Sequence, residues 1–456
     1  MAAALCANAA NDTASVVASA KPAVVTVTTY DAAGKQTGLG TGFFVDDSHV
    51  VTCYHVIDGA TKAKIKTATG KTYQVKGIAA SDRIADVVRL SLTSPVKGAK
   101  SLAFSKSLPK QGEKIVVVGT PLGLELTVSD GIVSAIRDTP GFPKLIQITA
   151  PISPGSSGSP VLNLNGQVVG VATYFAVKGQ NLNFAVASEH VLSLKPSVSA
   201  LPGAPSSSMD KEMRAGLDCV VGQDYAKALP HFETATRLGP NIPECWFYIG
   251  VVYDHLGRYS DAVDACKEAI RIKPDLAEAH CNLGHAYFCL GKYSDAVGAY
   301  KQAIRIKPDF AKAHHNLGVA YGQLTRYADA VDAYKEAIRI KPDYAEAHCG
   351  LGVAYGQLTH HSDAVDCFKQ AIRIKPDYAE AHYNLGIAYG RLTRYADATD
   401  AYKQAIRIKP DHVDAHWMLG VTYVALGDKG SALGEYKILQ SLDAKLADDL
   451  FNRIYK

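Results

Sequence analysis

No apolar run in this sequence approaches the roughly 18 residues that a membrane-spanning helix needs, so no stretch of it reads as a transmembrane helix. Charge of one sign is scarce as well. The net charge is +4 over 456 residues, with 18 Lys and Arg against 12 Asp and Glu in residues 1–200, and 30 against 32 in the rest. Neither part has the dense basic stripe that nucleic-acid binding requires. Cysteine supplies no framework: the count is nine, seven of them lie beyond residue 200, and no paired metal-ligand spacing occurs. Cys281 and Cys349 hold the same position two periods apart, too far to bridge, so the thiols read as small buried side chains. What is present is a globular composition, 47% hydrophobic, on a chain too long for a single core.

The first residues, Met1–Ala10, read MAAALCANAA. Ala7-Asn8-Ala9 fits the small-x-small pattern of a signal-peptidase site, although no basic stretch and no full apolar stretch precede it. Residues 1–14 are therefore expected to be the tail of a signal peptide or a disordered terminus. The first implies a periplasmic or secreted protein; a loose terminus on a cytoplasmic protein is the alternative.

The second half is periodic. Prolines recur every 34 residues at Pro240, Pro274, Pro308, Pro342, Pro376 and Pro410, most of them in the phrase Ile-Arg-Ile-Lys-Pro-Asp. One unit carries Leu317, Gly318, Tyr321, Ala330, Tyr334, Ala337 and Pro342; the next carries Leu351, Gly352, Tyr355, Ala364, Phe368, Ala371 and Pro376. The spacing predicts a pair of helices. Leu317 and Tyr321 share one face, Gly318 and Ala330 let two helices approach, and Pro342 stops the second helix. The pattern resembles the tetratricopeptide repeat at nearly all of its signature positions. Seven units fit in register over 209–446, the first and last degenerate as end caps should be, and 447–456 is expected to form a short capping helix. Ahead of them, 196–208 reads as a linker rich in Pro, Gly and Ser, with a mean reach of roughly 20 Å if flexible.

Residues 15–195 read as short β-branched or alternating strands punctuated by Gly, Asp and Asn, which predicts an all-β domain of barrel type. Three segments in it carry chemistry. His55 directly follows the apolar strand Val50–Thr52. Asp86 precedes the apolar stretch Val87-Val88-Arg89-Leu90. Ser157 sits in the glycine-flanked turn Ser153–Pro160. The order His, Asp, Ser is that of chymotrypsin-type proteases.

Residues 20–195 resemble the protease domain of the high-temperature-requirement (Deg) family of serine endopeptidases. The resemblance is carried by Lys21-Pro22-Ala23-Val24-Val25, Gly40-Thr41-Gly42-Phe43, the His55 segment, Ala85-Asp86, Gly119-Thr120-Pro121-Leu122-Gly123, Val128–Ser134, the Ser157 segment and Asn183-Phe184-Ala185-Val186. It implies a chymotrypsin-like double β-barrel ahead of the all-α repeat solenoid. It also implies a triad in which Ser157 is the nucleophile, His55 the base and Asp86 the orienting acid, with the Gly155 and Ser157 amides as oxyanion hole. It implies further that Ile152 lines the primary specificity pocket, selecting small or medium apolar side chains, and that the protein is a homo-oligomer, the family form being a trimer. No cofactor or metal is called for. Two positions depart from the family: Ser159 replaces a glycine, and Thr149 replaces an acid.

The family usually carries a peptide-binding PDZ domain after the protease, and here the repeats stand in its place. Their groove positions are Cys281, His285, His315, Val319, Cys349, Val353, Tyr383 and Ile387. This is an apolar, histidine-containing surface expected to bind protein. Read together, these features predict an endopeptidase acting on protein substrates, with the repeats recruiting substrate or partner. The alternatives are a catalytically silent scaffold and, third, a metal site built from the repeat histidines.

Overall fold

The structure is a computed structural model that describes residues 12–120, 126–138, 142–153, 155–173, 183–203 and 207–455. The expected signal-peptide tail up to residue 11, the Pro121–Gly123 part of one glycine-rich segment, Pro154, Phe175 and Asn181 lie outside the described residues. The chain divides into two compact units, Met1–Leu256 and Gly257–Lys456.

The first unit opens with a short helix, α1 (Thr13–Ala20), and two six-stranded closed barrels follow. The first barrel holds β1 (Val24–Tyr30), β2 (Gln36–Phe44), β3 (His49–Thr52), β4 (Lys62–Thr67), β5 (Thr72–Asp82) and β6 (Val87–Leu92), ordered β1-β2-β3-β6-β5-β4. The second holds β7 (Lys114–Gly119), β8 (Thr127–Arg137), β9 (Leu145–Ile148), β10 (Pro160–Asn163), β11 (Val168–Thr173) and β12 (Asn183–Ala187), ordered β10-β11-β12-β9-β8-β7. Antiparallel pairing of β1 with β4, and of β10 with β7, closes each barrel, so neither leaves a free sheet edge. Two further helices belong to this part: α2 (Tyr54–Ile57), directly after β3, and α3 (Ser188–Ser193).

β4 shows why the pattern folds inward. Ala63 and Ile65 are buried while Lys62 and Lys66 are exposed, the period-2 alternation of a strand with one face in a core. β11 is buried at all six positions, and its Val169 and Ala172 belong to the core of the second barrel.

Residues 197–203 of the Pro/Ser-rich segment lie along the first barrel. Ser197 N–H donates to Ala79 O (2.8 Å), Ser199 exchanges two bonds with Ile78 (2.8 and 3.0 Å), and Gly203 N–H donates to Ala60 O (2.9 Å). β5 bulges between Val75 and Gly77 and again between Ile78 and Ala80, which leaves backbone groups there for a new partner. Gly77 is needed for the approach, since a Cβ on it would stand 2.4 Å from Ser199 O. The first unit ends with α4 (Ser208–Val221), α5 (Tyr225–Leu238) and α6 (Pro243–His255). A capping box between Ser207 and Asp210 starts α4.

The second unit contains twelve α-helices among the described residues, from α7 (Tyr259–Ile272) to α18 (Ala444–Tyr455). Each repeat closes its interhelical turn in a left-handed conformation, on Gly257, Gly291 and Gly427 or on Thr325, Thr359 and Thr393. Five of the proline turns are stapled by a histidine, and Trp246 Nε1–H does the same for the Pro240 carbonyl (2.9 Å). Nε2 of His280, His314, His348, His382 and His416 bonds the carbonyl six residues back, on Pro274, Pro308, Pro342, Pro376 and Pro410, at 3.0–3.1 Å. These histidines serve the fold. Among the expected groove residues, Cys281 and Cys349 are buried, and His315 packs against Tyr334 and Tyr344 with its Nδ1 buried.

Candidate active site

Where the two barrels meet, side chains from one bond backbone of the other. Cys53 Sγ donates to Ala172 O (3.3 Å), and Thr41 Oγ1 donates to Gly155 O (2.8 Å). His55, Asp86 and Ser157 all lie on this seam.

His55 stands on α2, a single turn whose Tyr54, Val56 and Ile57 are buried and hold the helix down; the imidazole itself is about half exposed (49%). Asp86 is 2% exposed. Its backbone has φ +58°, a left-handed conformation that Asp tolerates better than most residues but that still stores strain. That turn aims the carboxylate under α2. Asp86 Oδ1 accepts the His55 backbone N–H (2.9 Å), and Oδ2 lies 2.7 Å from His55 Nδ1. Thr173 Oγ1, at the end of β11, donates a further bond to Oδ2 (2.7 Å). Burial alone would push the Asp86 carboxyl up, but the charge and hydrogen bonds of His55 and the Arg214 guanidinium outweigh it and hold the group well below the ordinary carboxylate range. An ionised Asp86 favours the tautomer with the proton on Nδ1, which places a lone pair on Nε2.

Ser157 is in the tight turn before β10. Its carbonyl accepts Thr41 N–H (3.0 Å), and the residue is 8% exposed. Gly155 and Gly158 adopt φ +91° and +89°. A Cβ on Gly158 would stand 2.1 Å from Thr41 O, so only glycine fits after this serine. Among the described residues, neither the Gly155 nor the Ser157 amide has an acceptor, and no hydrogen bond joins Ser157 to His55.

Ile152 packs against the apolar core of the second barrel. The segment leading to it is fixed by Ser129 Oγ on Pro151 O (2.8 Å) and Asn183 Nδ2 on Ala150 O (2.9 Å). Thr149 Oγ1 accepts Ile132 N–H (2.9 Å). Ser159 is fully buried against Gly119, where a Cβ would stand 2.4 Å from the serine hydroxyl. Ser159 thus occupies space that a bare Gly119 leaves open.

The ligand atoms of Cys53, His55 and Asp86 lie within 4.8 Å of one another. They suit a metal poorly. The Cys53 thiol is fully buried and pushed well up by that burial and by the Asp86 charge, whereas a metal needs thiolate.

Sequence reasoning assigns no role to Thr173, Thr41 or Arg214. Thr41 falls inside a glycine-rich segment, a usable signal. Thr173 and Arg214 carry no local mark, and each meets Asp86 only through the fold. Arg214 NH1, on α4, lies 3.8 Å from Asp86 Oδ2.

Known proteins match this chain in parts. The family model for a trypsin-like peptidase domain matches residues 40–171. Repeat models match 255–291, 284–325, 323–358, 361–392 and 379–412. The anti-sigma-I factor RsgI9 of Acetivibrio thermocellus is 34% identical over 173 residues, 37% of this chain and 24% of that protein. The periplasmic serine endoprotease DegP of Escherichia coli is 34% identical over 166 residues, 34% of this chain and 35% of that protein. The serine protease Do-like HtrB of Bacillus subtilis is 32% identical over 159 residues, 32% of this chain and 34% of that protein. The chain spans between 24% and 35% of the length of these relatives. It therefore carries a trypsin-like peptidase domain related to the Deg serine proteases, followed by tetratricopeptide repeats.

Proposed function

We propose that this chain is a serine endopeptidase working through an acyl-enzyme. Ser157 Oγ attacks the peptide carbonyl while His55 Nε2 takes its proton. Asp86 holds the imidazole tautomer and stabilises the imidazolium. The Gly155 and Ser157 amides receive the developing oxyanion, a contribution worth roughly 3–4 kcal/mol for a single donor elsewhere. His55 then protonates the leaving amine, and water releases the acyl group by the reverse path. Ile152, with no acid near it in sequence, selects a small or medium apolar residue before the bond cut, since an unpaired charge would be costly to bury there. The repeats recruit protein substrate or partner, and the periplasmic home of DegP supports the same compartment for this chain. The observation that carries the reading is the buried Asp86 carboxylate meeting both the backbone and the imidazole of His55.

One observation favours a second reading, a catalytically silent scaffold: no hydrogen bond joins His55 to Ser157 among the described residues. Such bonds often tighten only with substrate bound, so the peptidase reading stands first. Casein cleavage by the full chain separates the two. The active reading expects hydrolysis that disappears in Ser157→Ala, and equal cleavage by both proteins would support the scaffold with a contaminant.

A further inference from the structure

We infer that the first repeat helix completes the peptide-binding cleft: α4 walls a cavity beside His55 that takes a bulky apolar side chain of the substrate, near the bond cut. This rests on the peptidase reading and adds a substrate preference to it.

The cavity measures about 730 Å³, within the usual range for ligand sites. Tyr54, His55 and Ile84 line it from the first barrel, and Met209, Met213 and Leu217 line it from α4. The three α4 residues are spaced i, i+4, i+8 and so form one stripe. Asp210, Arg214 and Asp218 form the neighbouring stripe and fasten the helix. Arg83 reaches Asp210 at 3.4 Å, while Arg214 lies 3.8 Å from Asp86 and 3.3 Å from Asp218. The wall is therefore set against the same carboxylate that orients His55.

Three observations point to an apolar occupant. The deep walls are apolar, with Met213 7% and Leu217 1% exposed. The chain has four methionines in all, and two of them are here. Unbranched thioethers reshape around varied apolar guests, which suits a peptidase facing many sequences. Finally, the lining arginines Arg83 and Arg214 already hold Asp210, Asp86 and Asp218, so an anionic guest would have to displace an existing ion pair. The occupant lies close to the cleavage point because His55 is shared. The scissile carbonyl must sit beside that imidazole, and an extended chain advances about 3.3 Å per residue, so the side chain in the cavity is within about two residues of the bond.

The test uses the full chain on unfolded casein, with products read by mass spectrometry, followed by a peptide series carrying Gly, Ala, Leu or Phe at the position the products indicate. We expect Leu, Met, Phe or Tyr to be enriched at one fixed position within two residues of the cut. Filling the cavity with Met213→Trp should lower kcat/KM about tenfold or more for the Leu peptide relative to the Gly peptide. Met209→Trp, at a half-buried site, provides the same test if the first variant does not fold. A fluorophosphonate adduct on Ser157 reports whether each variant keeps a working nucleophile. Variants that label yet keep the wild-type product profile would overturn the cavity proposal alone, as would enrichment of Lys or Arg at that position. A wild-type chain that never labels would overturn the peptidase reading and this proposal with it.

Discussion

In the repeats, the bond from His314 to the Pro308 carbonyl has four copies, at His280, His348, His382 and His416. In the first unit, the bond from Thr173 to Asp86 occurs once and joins residues 87 positions apart. A repeated local contact prints its period on the sequence, and its loss at one copy leaves the others. A contact made once, between distant strands, prints nothing and has no substitute. The two units should accordingly answer mutation differently: steeply and in activity at the seam of the barrels, shallowly and in stability along the array.

The largest expected effect is at Asp86. Asp86→Asn keeps the shape of the side chain but lets His55 take the wrong tautomer, and kcat should fall about 10⁴-fold with the fold retained. Thr173→Val, removing one bond to the same carboxylate, should cost roughly tenfold to a hundredfold, as expected for a hydrogen bond to a charged group. Steady-state kinetics on a casein-derived peptide checks both, and full activity in Asp86→Asn would mean that the pair orients nothing.

In the array, a Cβ on Gly318 would stand 2.8 Å from the Tyr334 ring, and Gly352 meets Phe368 in the same way. Gly318→Ala should therefore cost about 1–3 kcal/mol by overpacking, read as a lower urea midpoint of the helical signal, with peptidase activity retained. A loss of activity as large as that of Asp86→Asn would erase the contrast between the units.

His315 gives the array a pH dependence of known sign. Burial holds its pKa down to about 4, against an ordinary 6.5. The unfolded chain then binds the proton more readily, so the contribution to stability is complete above about pH 6.5 and is lost as pH falls towards 4. The loss should be on the order of 2 kcal/mol. Thermal melts followed at 222 nm should show a smaller drop between pH 7 and 4.5 in His315→Leu than in wild type, and an identical drop would exclude this source.

The smallest effect concerns the left-handed turns. Thr359 holds φ +64° where Gly291 and Gly427 hold the same turn without a Cβ. Thr359→Gly should stabilise by about 1 kcal/mol at most, strain relief being partly offset by unfolded-chain entropy. A loss of stability would show that the Thr359 side chain does more than tolerate the turn.

Much of the architecture was legible in the sequence, for unequal reasons. The helix pairs were visible because Leu317, Gly318, Tyr321 and their counterparts recur at one spacing. Strands such as β3, β7, β11 and β12 were visible as β-branched runs. β4 was not, because its Lys62, Lys64 and Lys66 face outward and only Ala63 and Ile65 mark the inner face. β8 was not, because most of its residues are exposed or half-buried and Gly131 interrupts it. His55 and Asp86 came forward through motif and chain order, and the fold joins them at 2.7 Å. What composition could not convey was the path of 197–203. The prolines and serines of 196–208 read as a free spacer, yet Ser197 and Ser199 pair with β5. That pairing carries the chain towards α4, whose Arg214 approaches Asp86. Removing the repeats at the linker would therefore also take Arg214 away from Asp86.

The central claim is that Ser157 is a nucleophile made reactive by His55 and Asp86. Labelling the full chain with a fluorophosphonate and mapping the adduct by mass spectrometry tests it most directly. The account predicts one adduct, on Ser157, absent in Ser157→Ala and formed far more slowly in Asp86→Asn. No adduct on the wild-type chain, or an adduct on Ser156 or Ser159 that persists in Ser157→Ala, would contradict it.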